Sequence, residues 1–165
     1  MASGAANTTD APPRGRLLRV ALAVAALVAL DQLTKVWAVA TLSDGPFSIV
    51  GDTVQFQLSR NPGGAFGRFQ GMTTLLAIGA IAVSFLIVRE ARNATDRWKL
   101  VGYVLVLGGA LGNLTDRLLR SPGFLRGHVV DFVSVGEFPV FNVADSCITI
   151  GAVLLVWRTL RTASA

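Results

Sequence analysis

Long apolar runs, separated by short polar segments, dominate the pattern of residues along this chain of 165 amino acids. Four of the runs cover residues 17–40, 72–88, 100–119 and 140–157. Each is close to the ~20 residues that an α-helix needs to cross the ~30 Å hydrocarbon core of a bilayer. The pattern therefore predicts an all-α integral membrane protein with four transmembrane helices.

The segment between the first two runs has a different period. Val54, Phe56 and Leu58 alternate with polar residues, as expected of a half-buried β-strand, and the apolar stretch before them can pair with them across a Gly-Asp turn. An open sheet edge cannot face lipid, because its unpaired backbone groups would have no hydrogen-bond partner there. We therefore predict a small β-sheet within residues 45–66, outside the hydrocarbon, and a polar connection over residues 120–139.

The start of the chain is small, polar and proline-containing, which predicts a disordered tail over residues 1–16. Residues 17–161 then form a single membrane-embedded domain. A cleavable signal peptide is the alternative for the first run, since basic residues precede it and residues 38–40 resemble a cleavage site. Asp31 and Lys35 would be unusual in a signal peptide, and three more runs follow.

Composition agrees with a membrane protein, since 52% of residues are hydrophobic and only 15% are charged, against about a quarter in soluble domains. The net charge of +5 comes from basic residues that flank the apolar runs, as expected beside lipid headgroups, so we expect no nucleic-acid partner. With one cysteine and one histidine, the sequence offers neither an internal disulfide nor a metal-ligand spacing. We expect no metal and no cofactor.

The basic residues also predict the orientation of the chain, because cytoplasmic loops carry an excess of Lys and Arg. Nine lie at the termini or in the second loop: Arg14, Arg16, Arg19, Arg89, Arg92, Arg97, Lys99, Arg158 and Arg161. Five lie on the other side: Arg60, Arg68, Arg117, Arg120 and Arg126. We therefore expect both termini in the cytoplasm and the sheet on the extracytoplasmic side.

Several charged residues lie inside the apolar runs, where charge is costly and usually has a function. Asp31 and Lys35 are four residues apart, so they share one face of a helix. Either they form a structural ion pair near the outer end of the first run, or they belong to a functional site. Their spacing does not decide between the two.

The third run ends in a polar cluster on one helix face. Asn113, Asp116 and Arg117 follow Gly108 and Gly112, a pair of small residues spaced to let another helix come close. For the glycines we expect a packing role. The polar residues either reach toward the interface or line a cavity, and their place behind a close-packed patch favours the cavity.

Two further acids form the sharpest candidate for chemistry. Asp131 has two apolar residues on each side, and Asp145 lies one turn inside the fourth run with Asn142 on its face. Both are expected near the outer surface, where two neighbouring carboxylates do not ionise together easily and can share one proton. One acid and one base are what amide hydrolysis by water requires. The alternative is that Asp145 only caps its helix and Asp131 is a loop acid.

Five motifs in this order resemble those of the bacterial lipoprotein signal peptidases, also called signal peptidase II. They lie between Asp31 and Ser146 and are Asp31-Gln32-Leu33-Thr34-Lys35, Asn61-Pro62-Gly63-Gly64-Ala65-Phe66, Gly108 to Arg117, Val129-Val130-Asp131-Phe132 and Phe141-Asn142-Val143-Ala144-Asp145-Ser146. The resemblance implies an aspartic endopeptidase of the bacterial inner membrane. It also implies a substrate, a prolipoprotein carrying diacylglycerol on a cysteine, which is cut just before that cysteine.

The resemblance also implies roles for single residues. The positions matching Asp131 and Asp145 would be the catalytic pair. Residues that support the site or contact substrate would be Asp31, Lys35, Asn61, Gly63, Asn113, Asp116, Arg117 and Asn142. We expect a monomer whose partners are the substrate and membrane lipid, with its active site at the extracytoplasmic face. The alternative function is a small proton-coupled transporter, which would need acids spread through the depth of the bilayer.

Overall fold

A computed structural model describes residues 14–63 and 73–163, which form four long helices and four strands. The helices are α1 (Arg14–Thr41), α2 (Thr73–Asn93), α3 (Arg97–Leu119) and α4 (Val143–Ala163). The strands are β1 (Phe47–Val50), β2 (Val54–Asn61), β3 (Val129–Val135) and β4 (Phe138–Phe141). Each predicted apolar run thus lies largely within one helix.

The helix ends differ from the predicted spans in two informative places. Helix α1 begins at Arg14, inside the region predicted as a tail, and residues 1–13 lie outside the described part of the chain. Helix α4 begins at Val143 rather than at residue 140, because the preceding residues form β4. By length and composition, three of the helices are apolar enough to cross a membrane: α1, α2 and α4.

Helix α3, the helix that is not among these three, occupies the centre of the bundle, where α1, α2 and α4 all pack against it. Its glycines permit this close packing. A Cβ atom at Gly109 would lie 2.3 Å from the carbonyl oxygen of Ala144 in α4, and one at Gly108 would lie 2.8 Å from the Leu27 side chain in α1. The packing role predicted for the glycines is therefore confirmed.

The sheet is larger than predicted. Its four antiparallel strands lie in the order β1-β2-β3-β4, and Ser59 of β2 pairs with Asp131 of β3. The polar connection predicted for residues 120–139 was wrong where β3 and β4 form, at residues 129–135 and 138–139. Since most of β3 is buried, it lacks the alternation by which a half-buried strand is recognised. The predicted class, all-α with a small sheet, therefore understates the strand content of the fold. Residues 64–66 of the predicted sheet lie outside the described residues.

Aromatic side chains fix the sheet against the end of α1. The Trp37 ring lies edge-on to Phe56 of β2 and to Phe132 of β3, with centroid distances of 5.3 and 6.0 Å. Ala38 and Leu42 are buried in the same cluster. Because the sheet packs on the end of α1 and leads directly into α4, it brings polar side chains of β2 and β3 to one end of the helix bundle.

The opposite end of the bundle is tied by other polar contacts. Asp96 precedes α3 and accepts hydrogen bonds from the backbone N–H groups of Trp98 (2.7 Å) and Lys99 (3.1 Å), so it caps the helix. Its carboxylate also pairs with Arg158 near the end of α4. The two ends of the bundle therefore have separate polar networks.

Candidate functional site

All ten candidate site residues lie at the sheet end of the bundle, within the described part of the chain. Helix α1 carries Asp31 and Lys35, and α3 carries Asn113, Asp116 and Arg117. Asn61 ends β2, with Gly63 just beyond it, and Asp131 lies in β3. A cavity of about 970 Å³ opens among them, and it is lined by Asn61, Asn113, Arg117, Asp131 and Asp145.

Asp131 is held by two side-chain amides. Its Oδ1 accepts a hydrogen bond from Nδ2 of Asn142 at 2.6 Å, and its Oδ2 accepts one from Nδ2 of Asn61 at 3.1 Å. Burial raises the pKa of this carboxyl from 3.8 to about 7, and the negative charge of Asp145 adds to the rise. At neutral pH, Asp131 is therefore close to its midpoint between acid and base.

Asp145 lies in the first turn of α4, where it forms a reciprocal cap with Asn142. The Asp145 backbone N–H donates to Oδ1 of Asn142 at 2.9 Å, and the Asn142 N–H donates to Oδ2 of Asp145 at 3.3 Å. The capping alternative is thus correct as a description of local structure. It does not exclude chemistry, because Asp145 also lines the cavity and its Oδ1 accepts a hydrogen bond from Nδ2 of Asn113 at 2.8 Å.

Asn142 connects the two acids. Its side chain is completely buried; its oxygen caps α4 beside Asp145 and its nitrogen donates to Asp131. The same nitrogen also lies 3.2 Å from Oδ1 of Asn113. An amide can hold both carboxylates because it offers a donor and an acceptor without adding charge. Asn142 therefore fixes the relative position of Asp131 and Asp145.

Lys35 lies in the same hydrogen-bond network as this pair but contacts neither acid. Its Nζ lies 2.9 Å from each of three oxygen atoms, on Asp31, Asp116 and Asn113. The ion pair that the sequence left as one of two alternatives for Asp31 and Lys35 is therefore present, and Asp116 joins it. Because Asn113 bonds to Lys35 through its oxygen and to Asp145 through its nitrogen, it links this ionic cluster to the cavity.

The ionic cluster also anchors the backbone that carries the acids. Oδ1 of Asp31 accepts a hydrogen bond from the N–H of Ala144 at 3.0 Å, and Oδ2 of Asp116 accepts one from the N–H of Val130 at 3.0 Å. These bonds fix the chain next to each candidate acid. Asp116 does not line the cavity, so the predicted role for it as a cavity residue is wrong; its carboxylate faces Lys35 and Arg120 instead.

Two members of the ionic cluster were not singled out from the sequence. Gln32 donates to Asp31, to the carbonyl of Gly112 and to Asp116, each at 3.1 Å. Arg120 donates from Nε to Oδ1 of Asp116 at 2.7 Å. The spacing of four residues between Asp116 and Arg120 was the available signal for that pair. Gln32 gave no comparable signal, since a single amide in an apolar helix has no preferred partner.

Arg117 is buried beside the cavity and has no ion-pair partner among the described residues. One of its guanidinium nitrogens lies 3.5 Å from the carbonyl oxygen of Gly127, and the Gly127 N–H donates to the Arg117 carbonyl at 3.1 Å. A guanidinium carries five N–H donors, so most of them are available to a molecule in the cavity. Arg117 is therefore placed to bind a carbonyl or carboxylate oxygen.

Apolar side chains form the rest of the cavity wall and connect it to the surface of the bundle. Val83 of α2 and Ile150 of α4 line the cavity and are also largely exposed. In a membrane, such exposed apolar positions face hydrocarbon. The cavity therefore extends from a polar end with two carboxylates to an apolar opening between α2 and α4.

This arrangement has the elements needed for hydrolysis without a covalent intermediate. Two carboxylates face one cavity, and the groups in contact with them are neutral amides and backbone N–H groups. Without a cation in contact, one proton shared between the two acids lowers their repulsion. The protonated acid is a donor and the ionised acid is a base, as in general acid–base catalysis on a water molecule.

Comparison with known proteins gives consistent matches over most of the chain. The family model "Signal peptidase (SPase) II" matches residues 23–161. The lipoprotein signal peptidase of Rhodococcus jostii (strain RHA1) is 50% identical over 159 residues, which is 96% of this chain and 80% of the relative. The lipoprotein signal peptidase of Mycobacterium tuberculosis (strain ATCC 25618 / H37Rv) is 49% identical over 156 residues, covering 93% of this chain and 77% of the relative.

A solved structure is also similar. It is described as a bacterial membrane enzyme determined by the in meso method at 2.3 Å resolution, and it superposes with a TM-score of 0.77 at 31% identity. The match covers 88% of this chain and 90% of that one. A fold of apolar helices with a small antiparallel sheet is therefore shared with a bacterial membrane enzyme.

Proposed function

This chain belongs to the signal peptidase II family, and from that membership we propose that it is an aspartic endopeptidase that removes signal peptides from prolipoproteins. The proposed substrate carries diacylglycerol on a cysteine, and the bond just before that cysteine is cut. The observation that carries the proposal is the cavity with Asp131 and Asp145 at its polar end and an apolar opening between α2 and α4. Such a cavity suits a substrate that is part peptide and part lipid.

The proposed chemistry uses Asp131 and Asp145 as a pair with one proton. The ionised carboxylate accepts a proton from water as the water oxygen bonds to the carbonyl carbon of the scissile amide. The protonated carboxyl donates to the carbonyl oxygen. When the tetrahedral intermediate collapses, the carboxyl that took the proton from water gives it to the leaving nitrogen as the C–N bond breaks. The other carboxylate takes back a proton from a hydroxyl of the intermediate, which leaves a carboxyl group on the signal peptide, a free amino group on the lipid-modified cysteine and one proton on the pair.

We assign supporting roles from the contacts of the remaining residues. Asn61, Asn113 and Asn142 orient the two acids through hydrogen bonds, and the Gly63 N–H holds the Asn61 oxygen at 3.0 Å. Arg117 binds a carbonyl of the substrate, since its guanidinium borders the cavity without an acidic partner among the described residues.

The ionic cluster positions the site without touching substrate in this proposal. Asp31 and Asp116 hold the backbone of α4 and β3. Lys35 forms an ion pair with each of them, and Arg120 forms a second one with Asp116. Loss of the cluster would therefore displace both members of the catalytic pair.

The proposed topology places all four helices across the bacterial cytoplasmic membrane. Residues 17–161 act as one membrane-embedded domain, both termini are cytoplasmic, and the sheet end with its cavity is extracytoplasmic. The excess of basic residues at the opposite end supports this orientation. We further propose that the chain works as a monomer, since the described cavity is built from a single copy.

A transporter is not favoured by these observations. A proton relay needs acids spread through the bilayer, whereas Asp31, Asp116, Asp131 and Asp145 all lie at the sheet end. The similar curated proteins are also peptidases by name.

Incubation of the purified protein with a diacylglyceryl-modified prolipoprotein, beside its unlipidated form, tests the proposal. We expect cleavage of the lipidated form alone, with the lipidated cysteine as the new N-terminus by mass spectrometry. Equal cleavage of both forms would contradict the assigned substrate class, and no cleavage of either would contradict the activity.

A further inference from the structure

A second cavity, of about 830 Å³, lies on the other side of α3 and shares no lining residue with the first. Its walls are one face of α1, one face of α3 and the last turns of α2. Along α1 the lining residues are small or branched, such as Val20, Ala21, Val24 and Ala25. The groove is therefore apolar for most of its length and runs along the helices.

The two ends of the groove differ in charge. Arg16 and Arg92 line one end, and Gln32 and Thr115 line the other. At about 1.5 Å per helical residue, Arg16 and Gln32 are about 24 Å apart along α1. One leaflet of hydrocarbon is about 15 Å thick. The groove is thus long enough for an acyl chain with a headgroup at its basic end.

The two arginines are suited to an anion. Arg16 donates to the backbone carbonyl of Ala91, in the last turn of α2, at 3.5 Å and to that of Ala94, just beyond the helix. These contacts hold its guanidinium at the mouth of the groove. Arg92 is exposed and has no hydrogen-bond or ion-pair partner among the described residues. The adjacent acid, Glu90, does not line the groove and is paired with Arg89. Positive charge at this mouth is therefore left without an acidic partner within the described chain.

We propose that this groove binds one anionic phospholipid, with its phosphate at Arg16 and Arg92 and an acyl chain along α1 and α3. The apolar walls accept the chain, and the guanidinium groups match a phosphate in geometry and charge. A zwitterionic lipid fills the same apolar space but carries a compensating positive charge at the basic mouth. This site is separate from the peptidase cavity and does not depend on the catalytic proposal.

Native mass spectrometry of the full chain in detergent, with phosphatidylglycerol and phosphatidylcholine supplied in equal amounts, tests the proposal. We expect one phosphatidylglycerol to be retained about fivefold more than phosphatidylcholine. Ala25→Phe fills the groove and should remove that lipid. Ala26→Phe is the matched control, because Ala26 is the next residue on α1 and does not line the groove. Retention of lipid by Ala25→Phe equal to that of Ala26→Phe would overturn the proposal.

A second pair of variants distinguishes binding of lipid at this groove from attraction of lipid by basic charge anywhere on the surface. Arg92→Gln should abolish the preference for phosphatidylglycerol, whereas Arg89→Gln, on the same helix but outside the groove, should keep it. An equal loss in both variants would mean that basic surface charge alone attracts the lipid, and the site would be rejected. If Ala25→Phe instead raises KM for the prolipoprotein and leaves lipid retention unchanged, the groove belongs to the substrate and the proposal fails.

Discussion

Two pairs of carboxylates lie side by side at the sheet end of this molecule, and their surroundings are opposite. Asp31 and Asp116 are almost fully buried and share the ammonium group of Lys35, at 2.9 Å from each. Asp131 and Asp145 are contacted by amides and backbone N–H groups. The first pair is held by cations, Lys35 on both acids and Arg120 on Asp116, whereas the second pair is only oriented.

This difference in surroundings explains how aspartate acts as a structural anchor in one pair and as a candidate acid or base in the other. A buried carboxylate with a cation in contact stays ionised and acts as a fixed anchor. A buried carboxylate that has only neutral donors keeps part of its desolvation penalty, so its pKa rises, as it does for Asp131. The asparagines therefore give the second pair a defined geometry and leave it able to exchange a proton.

The largest expected effect comes from removing a member of the second pair. Asp131→Asn or Asp145→Asn should lower kcat/KM at least about 10³-fold, because the variant cannot supply both an acid and a base. Folding should be retained, since Asn has nearly the same shape and removes a repulsive charge. Cleavage of lipidated prolipoprotein and a thermal unfolding scan in detergent measure the two quantities. Asp44→Asn, at an exposed position, is the control, and substantial turnover by either catalytic variant would reject the pair.

Removing the cation from the first pair should instead act on stability. Lys35→Met leaves Asp31 and Asp116 buried without their shared partner, and we expect the free energy of unfolding to fall by about 3–5 kcal/mol. Lys99→Met, at the opposite end of the bundle, is the matched control because Lys99 is the other lysine of the chain. Denaturant unfolding in detergent measures both.

A double variant sharpens this prediction. Asp31→Asn combined with Lys35→Met removes the unmatched charge together with the cation, so part of the lost stability should return. If Lys35→Met is as stable as the Lys99→Met control, the first pair is not held by its cation and the contrast between the two pairs is lost.

Asn113 lies between the pairs, and its removal should affect catalysis more than folding. Asn113→Ala deletes the hydrogen bond to Asp145 and the contact with Lys35. We expect kcat to fall about 10–100-fold, as for the loss of a hydrogen bond to a charged group, with little change in KM. Steady-state kinetics on lipidated substrate measures the changes in kcat and in KM separately. Asn93→Ala, at the exposed end of α2, is the control, and a change confined to KM would assign Asn113 to substrate binding instead.

The apolar pattern was sufficient to predict the helices, and the charged residues inside the apolar runs indicated part of the candidate site, whereas Asn61 and Gly63 entered only through the family resemblance. Length and hydropathy locate α1, α2 and α4, and the spacing of Asp31 and Lys35 places both on one helix face, where they form an ion pair. Such predictions succeed because they depend on local periodicity: in a helix, residues three or four positions apart lie on the same face.

The rest depends on contacts between distant segments, which periodicity does not encode. Strand β3 was missed because it is buried on both sides. Asp116 was placed in the cavity because the sequence shows which residues share its helix face but does not show that its carboxylate pairs with Lys35 of another helix. The position of Asp116 is decided by Lys35 of α1 and the backbone of Val130. Only the assembled bundle distinguishes the neutralised pair of acids from the pair that is merely oriented.

The last expected effect is a pH dependence that should follow the second pair alone. Because the pKa of Asp131 is raised to about 7 by burial and by the charge of Asp145, the shared proton is lost as the pH rises through about 7. We expect kcat/KM to fall about tenfold for each further pH unit. The same shift makes the folded state bind this proton more tightly than the unfolded chain. Its contribution to stability is therefore complete below pH 3.8 and lost as the pH rises through about 7.

Measurement of kcat/KM and of unfolding between pH 5 and pH 9 would reveal both effects, within the range in which the protein remains folded. Asp131→Asn should remove the pH dependence of stability near pH 7, whereas Asp44→Asn should keep it, since only the first variant removes the raised carboxyl. A rate that stays constant to pH 9 would mean that the second pair does not hold a proton with a pKa near 7. In that case replacing cations by amide donors would not be enough to raise the pKa of the second pair. A group other than Asp131 or Asp145 would then have to donate the proton during catalysis.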